Sequence, residues 1–128
     1  MKRIEFLKQS VGLLGTVFLG LKQELQPKKE KLIYYEGSIA GYQYYNGPKL
    51  ESEFRQGEAL ELRREPKNNF DKKAVAIYYK GEQLGYVKQT DNKTLSLLID
   101  QNQKLSAQIK ETKMEAPMWL RVRFEVLG

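Results

Sequence analysis

The chain has 128 residues, of which 41% are hydrophobic and 11% aromatic, and its 22 basic and 16 acidic side chains give a formal net charge of +6. This length suits one folded domain with a terminal extension. Histidine and cysteine are both absent, which excludes disulfides, Ser-His-Asp and Cys-His nucleophiles, and the usual zinc, haem and iron–sulfur ligand sets. We therefore expect a binding module rather than an enzyme, with no cofactor and no metal.

The N-terminal segment carries most of the basic excess, because residues 1–31 have a net charge of +4. A short basic stretch is followed by an uncharged run over residues 11–21, which has the length of a signal-peptide apolar region and is too short to span a bilayer as a helix. Residues 3–8 are similar to the twin-arginine export pattern, with Ile4 in place of the second arginine. We expect residues 1–22 to be a signal-like leader or membrane anchor. The alternative is an amphipathic helix packed on the domain or on a membrane surface.

The composition changes after this segment. Residues 23–31 contain Pro27 and three lysines, a pattern typical of a charged, solvated linker. From Leu32 onward the pattern is mostly strand-like, so the predicted domain covers residues 32–128.

The first part of the domain is predicted to be an aromatic strand. It opens over residues 32–35 and continues over residues 38–45, with Gly37 marking a bulge or bend. Asn46-Gly47-Pro48 predicts a turn, and residues 49–54 predict a short irregular or helical stretch.

The middle of the domain alternates strands with a polar loop. Residues 59–63 alternate apolar and charged side chains, as a half-buried strand does. Residues 65–73 form a loop, because Pro66 removes a backbone donor and the following asparagines favour a turn. Residues 74–79 and 83–87, joined by Lys80-Gly81-Glu82, predict a hairpin.

The last part of the domain holds one convincing helix and two strands. Thr90 or Asp91 can cap the helix, and Leu95, Leu98 and Ile99 form its apolar stripe. Residues 105–109 alternate again, and the final strand over residues 119–126 places Leu120, Val122, Phe124 and Val126 on one face. About six short strands with this helix predict a mainly β domain, closed or nearly closed as a barrel.

A tyrosine cluster lies between Gly41 and Gly47. In a strand, Tyr42 and Tyr44 would share one face and Tyr45 would take the other. Exposed rings of this kind offer stacking surfaces to unpaired bases. The alternative is that they are half-buried strand residues.

A basic loop is the second candidate functional feature. Residues 63–73 carry a net charge of +3, more than the +2 of residues 32–128 as a whole. Lysine and arginine neutralise phosphates, and asparagine and aspartate bind sugar hydroxyls. A carboxylate within this loop would repel phosphates but accept a hydrogen bond from a terminal hydroxyl, which favours a strand end over continuous duplex. The alternative is an ordinary turn in which Asp71 caps backbone N–H groups.

The order of these motifs resembles the HIRAN domain. The resemblance covers about residues 39–126 and rests on Gly41-x-x-Tyr44-Tyr45, on Leu62-x-Arg64-Glu65-Pro66-x-Asn68-x-Phe70-Asp71-x-x-Ala74-Val75-Ala76-Ile77, and on Gln83-Leu84-Gly85-Tyr86-Val87, followed by the helix. It implies a small OB-like or SH3-like β-barrel of about six strands with one or two helices, of the stand-alone bacterial type. It also implies binding of single-stranded DNA ends with a free 3′-hydroxyl.

The resemblance assigns base stacking to Tyr44 and Tyr45, and it makes Asp71 the acceptor of the 3′-hydroxyl. The chain departs from the family pattern at Gln43, where DNA-binding members can carry arginine, and at Asn69, which is often proline. The candidate DNA-binding residues are Gln43, Tyr44, Tyr45, Arg64, Lys67, Asn68, Phe70, Asp71, Lys72, Lys73 and Tyr86.

Two interpretations of function follow. In the first, the partners are single-stranded DNA at its 3′ end, a membrane contacted through residues 1–22, and a larger DNA-processing assembly. In the alternative, the protein is an envelope-associated β-barrel domain that binds a peptide, glycan or protein ligand. The two differ in location, since the leader-like segment indicates the cell envelope or export whereas DNA binding requires the cytoplasm.

Overall fold

The computed structural model describes residues 31–128, which form an antiparallel sheet with two helices. The elements are β1 (Ile33–Ser38), α1 (Gly47–Leu50), β2 (Ala59–Glu65), β3 (Ala74–Tyr79), β4 (Glu82–Tyr86), α2 (Asn92–Asp100), β5 (Ser106–Thr112) and β6 (Val122–Leu127). None of the helices in residues 31–128 has the length and apolarity to cross a membrane. The predicted leader and all but the last residue of the predicted linker lie outside the described residues.

The sheet curls so that the segment following one edge strand reaches the other edge strand. The strand order is β1-β6-β5-β2-β3-β4, so β1 and β4 are the edges. Ala40, two residues after β1, exchanges two backbone hydrogen bonds with Tyr86: its N–H donates to the Tyr86 oxygen at 2.8 Å, and its oxygen accepts from the Tyr86 N–H at 3.0 Å. The prediction of a mainly β domain of about six strands with one or two helices is confirmed, and the sheet is a half-barrel whose edges join at one residue pair.

Gly85 makes this edge contact possible. A Cβ atom at this position would lie 2.4 Å from the Ala40 carbonyl oxygen, well inside contact distance, and the backbone has a φ of +143°. Both features exclude a side chain. The glycine that the sequence places before Tyr86 is therefore the condition for joining β1 to β4.

The core is formed by alternate residues of β5 and β6 and by nearly every residue of β3. Val122, Phe124 and Val126 of β6 are buried, as the alternating pattern predicts. In contrast, β3 is buried along almost its whole length because α2 packs against it. Leu95 supplies the fully buried side chain of α2. Burial of such side chains stabilises the fold by roughly 1.5–3 kcal/mol each.

The tyrosine cluster is not part of a strand, so the predicted continuation of the strand over residues 38–45 is wrong beyond Ala40. Gly41 adopts a left-handed conformation with φ of 74°, which ends the extended segment and starts a 3-10 turn over Tyr42–Tyr44. Tyr42 is 1% exposed and donates its hydroxyl to Glu51 at 2.9 Å, whereas Tyr44 is 80% exposed. The two rings therefore point to different environments rather than sharing one face.

Two further predicted details are wrong for local reasons. Asp91 occupies the residue before α2 but makes no side-chain cap; its carboxylate accepts a hydrogen bond from the Tyr35 hydroxyl at 2.7 Å instead. Residues 118–120 form a 3-10 turn that follows Pro117, so β6 begins only at Val122. Leu120 consequently lies outside the core and is half-exposed.

Replacing Gly85 with alanine should destabilise the domain by at least about 2 kcal/mol, because the new Cβ clashes with the Ala40 carbonyl in a strained backbone conformation. Urea unfolding of the full chain measures the change. Gly57→Ala is the matched control, since Gly57 also has a positive φ (+87°) but no atom within 4 Å of the added Cβ. A loss for Gly85→Ala no larger than that of the control would contradict the role of this residue in joining the edges.

Candidate functional site

A cavity of about 460 Å³ lies beside the residue pair that joins the sheet edges. Three chain segments form its wall: the turn after β1, the loop between β2 and β3, and the end of β4. Six of the predicted DNA-binding residues line it: Tyr44, Tyr45, Asn68, Phe70, Asp71 and Tyr86. The other lining residues, which were not predicted, are Ala40, Gly41, Ala74, Val87 and Gln89. The fold therefore brings the two motifs of the sequence to one place.

The cavity wall is rich in aromatic rings of two kinds. Phe70 is 94% exposed and Tyr44 is 80% exposed, so both rings keep their faces free. Tyr45 and Tyr86 instead pack edge to face, with ring centroids 5.9 Å apart. The packed pair supports the wall, and the exposed pair offers flat apolar surfaces to a ligand.

Asn68 shapes the loop that carries Phe70. Its side-chain oxygen accepts the backbone N–H groups of Phe70 at 2.8 Å and Asp71 at 3.0 Å. Its side-chain nitrogen donates to Glu65 Oε1 at 2.9 Å. The exposed Phe70 ring is therefore mounted on a backbone that is held by local hydrogen bonds.

Asp71 joins this loop to the first residue of α2. Its Oδ1 accepts the backbone N–H of Lys73 at 2.9 Å, and its Oδ2 accepts from the buried Asn92 side chain at 2.6 Å. The first bond is the one expected of an ordinary turn. Each carboxylate oxygen has two lone pairs, so Asp71 retains the capacity to accept a further hydrogen bond from the cavity.

Glu65 links the loop to the end of β4, a role that was not predicted from the sequence. Its Oε1 accepts from the Tyr86 hydroxyl at 2.8 Å as well as from Asn68. Burial, together with this carboxylate, raises the pKa of Tyr86 to about 12. The available signal was its position directly before Pro66 at the end of β2, where the chain leaves the sheet.

Arg64 is used inside the protein. Its side chain is 11% exposed, and the guanidinium pairs with Asp100 of α2 at 2.9 Å. It also donates to the backbone oxygens of Ala74 and Lys72 at 2.8 and 3.1 Å. Arg64 therefore anchors the end of the loop to α2 and does not line the cavity.

The remaining predicted cations lie on the surface of the loop. Lys67, Lys72 and Lys73 are exposed, and none of them makes an ion pair within residues 31–128. Arg63, the other cation of this stretch, pairs with Glu61 at 2.9 Å and lies 3.8 Å from the Tyr78 ring centroid. The free positive charge of the loop is thus that of its three lysines.

Gln43 does not line the cavity. Its side-chain oxygen is buried and has no hydrogen-bond partner in the part of the chain that the structure describes. Gln89, which no sequence pattern singled out, does line the cavity. Across the described residues no cluster of three or more acidic side chains is placed to hold a metal ion.

Comparison with known proteins connects this arrangement to a family. The family model described as HIRAN domain matches residues 32–128. A structure of a protein from Lactobacillus plantarum is 22% identical, with a TM-score of 0.64 over 77% of this chain and 97% of that one. The HIRAN domain of human HLTF is 19% identical, with a TM-score of 0.58 over 77% of this chain and 79% of that one. No curated protein matches this chain.

The raised pKa of the Tyr86 hydroxyl predicts a specific pH dependence of stability. Its folded pKa, about 12, lies above the ordinary value of 10, so the folded state holds this proton more tightly than the unfolded state. The stabilisation is complete below pH 10 and is lost as the pH rises through 12. Tyr86→Phe keeps the ring and removes the proton, so its unfolding free energy should fall less steeply over this range.

Urea unfolding at pH 8, 10, 11 and 12 measures this difference. Tyr34→Phe is the control, because the Tyr34 hydroxyl makes no side-chain hydrogen bond within residues 31–128. Identical pH profiles for the wild type and Tyr86→Phe would show that the Glu65–Tyr86 contact does not hold this proton.

Proposed function

The chain belongs to the HIRAN domain family, a family of nucleic-acid-binding modules, and from this premise we propose that it is a non-catalytic module that binds single-stranded DNA at ends with a free 3′-hydroxyl. The observation that carries the proposal is the pairing of two exposed rings, Tyr44 and Phe70, with the Asp71 carboxylate around one cavity. The cavity volume falls within the range of ligand sites, roughly 300–1,000 Å³.

Tyr44 and Phe70 are assigned to base stacking. Large rings left this exposed gain almost no stability from the fold, so they are free to pack against a ligand. Base–aromatic stacking contributes about 1–3 kcal/mol per base and tolerates any sequence, because every base has a flat face. Unpaired bases offer that face, whereas bases in a continuous duplex do not.

Asp71 is assigned to the terminal hydroxyl. A 3′-hydroxyl can donate a hydrogen bond to a carboxylate oxygen, whereas a 3′-phosphate places negative charge against it. Asn92 and the Lys73 N–H hold the carboxylate in position. A preformed acceptor of this kind discriminates between the two ends without having to reorganise.

Lys67, Lys72 and Lys73 are assigned to the phosphates that precede the terminal nucleotide. Among residues 31–128 they are the cations of this loop that make no ion pair. Their contribution would be independent of base sequence and would weaken as salt is added, because bound counterions are released when a phosphate is neutralised.

Phe70→Ala and Tyr44→Ala should each weaken binding of a short single-stranded oligonucleotide by about tenfold, as expected for loss of one stacked base. Fluorescence anisotropy of a 5′-labelled oligonucleotide with the full chain measures the affinity. Leu97→Ala is the control, since Leu97 is an exposed apolar residue of α2 that does not line the cavity. Unchanged affinity in both aromatic variants would exclude the stacking assignment.

The wild type should bind an oligonucleotide ending in a 3′-hydroxyl at least about tenfold more tightly than the same oligonucleotide ending in a 3′-phosphate, a ratio that corresponds to about 1.4 kcal/mol. Asp71→Asn should reduce this ratio, because it removes the repelling charge and keeps an oxygen for the Lys73 N–H. Glu115→Gln, an exposed carboxylate away from the cavity, should leave the ratio unchanged. Equal binding of the two ends by the wild type would refute end recognition.

A further inference from the structure

Most polar groups on the cavity wall are already engaged within the protein. Asn68 uses both ends of its side chain, and each Asp71 oxygen accepts one hydrogen bond. The Tyr86 hydroxyl donates to Glu65. These groups shape the site and leave little unsatisfied hydrogen-bonding capacity for a base.

Gln89 is different. It lines the same cavity, is exposed to solvent, and makes no side-chain hydrogen bond within residues 31–128. Its amide carries a donor and an acceptor side by side in one plane. The hydroxyls of Tyr44 and Tyr45 are also free of hydrogen bonds in the described residues, but each is a single O–H group on a rotating bond and cannot form a planar pair of bonds.

The backbone on both sides of Gln89 is held in place. The Val87 N–H donates to the Val75 oxygen at 3.0 Å, which ties the preceding residues to β3. The Asp91 N–H closes a turn onto Lys88 at 2.9 Å, and the Asp91 carboxylate accepts from Tyr35. Gln89 therefore extends from a fixed turn at the cavity wall and loses only side-chain freedom when it binds.

We propose that Gln89 hydrogen-bonds the edge of the terminal base and makes the site prefer adenine. The inference rests on the proposed function. A base stacked on an aromatic ring keeps its edge free to hydrogen-bond a side chain that lies beside the ring. An amide pairs with an adjacent donor and acceptor, as glutamine does with N6 and N7 of adenine. Adenine offers such a pair on its Hoogsteen edge, N6 and N7, as well as on its Watson–Crick edge, whereas guanine presents two acceptors, O6 and N7, on its Hoogsteen edge.

The comparison of adenine with guanine isolates this effect, because both are purines and present similar stacking areas. Four 5′-labelled oligonucleotides that differ only in the 3′-terminal base, each with a 3′-hydroxyl, are titrated by fluorescence anisotropy with the full chain. We expect the adenine end to bind about fivefold more tightly than the guanine end, at the lower limit of a bidentate amide–base pair. Gln89→Met keeps the side-chain length and removes both hydrogen-bonding groups, so the ratio should fall below about twofold.

Gln101→Met is the matched control, since Gln101 is an exposed glutamine after α2 that does not line the cavity. It should keep the full adenine preference. Equal binding of the adenine and guanine ends by the wild type, with the requirement for a 3′-hydroxyl retained, would overturn the role of Gln89 and leave the proposed function standing. An adenine preference that persists in Gln89→Met would also overturn the role of Gln89, because the preference would then come from stacking. Failure of all four oligonucleotides to bind would overturn the proposed function itself.

Discussion

The contact between Ala40 and Tyr86 is the constraint on which the candidate site depends. Two backbone hydrogen bonds join the sheet edges there, and Gly85 allows the approach because it has no side chain. The pair lies between two segments of the cavity wall, the turn that carries Tyr44 and the end of β4. It brings the motifs of the first and third segments together, and a second backbone bond, from the Asn46 N–H to the Gln83 oxygen at 3.1 Å, ties the same turn to β4. The contact that links β4 to the segment after β1 therefore also places these two parts of the cavity wall side by side.

The polar residues between β2 and β3 act mainly on the protein itself. Arg64 fixes one end of the loop to α2, while Glu65 and Asn68 fix the other end to Tyr86. Each hydrogen bond of this kind contributes about 0.5–1.5 kcal/mol, and together they hold Phe70 in solvent against the tendency of an apolar ring to be buried. The motif is therefore best understood as a scaffold that presents a ring and a carboxylate.

Regular alternation made much of the fold predictable from the sequence. The half-buried β2, the β3–β4 hairpin and the buried face of β6 all follow from local periodicity and turn residues. The 3-10 turn over Tyr42–Tyr44 did not, because it starts at the left-handed Gly41 and holds a buried Tyr42 whose hydroxyl bonds Glu51, nine residues along the chain.

The same distinction applies to the site. The residue types of the tyrosine cluster and the loop singled out two segments that the fold brings together, and six of the predicted residues line one cavity. The net charge of the loop does not show which of its cations form ion pairs. Arg64 pairs with Asp100 only because α2 packs beside the loop, whereas the three lysines make no ion pair within residues 31–128. Gln89 carried no signal at all, because an isolated exposed glutamine has no pattern. The most direct measurement is chemical-shift mapping of the ¹⁵N-labelled full chain with a single-stranded oligonucleotide that ends in a 3′-hydroxyl. We expect shifts at the amides of Gly41, Phe70 and Gln89, around the cavity. Shifts centred on α2 near Leu97, with the cavity amides unchanged, would show that the cavity is not the DNA-binding site.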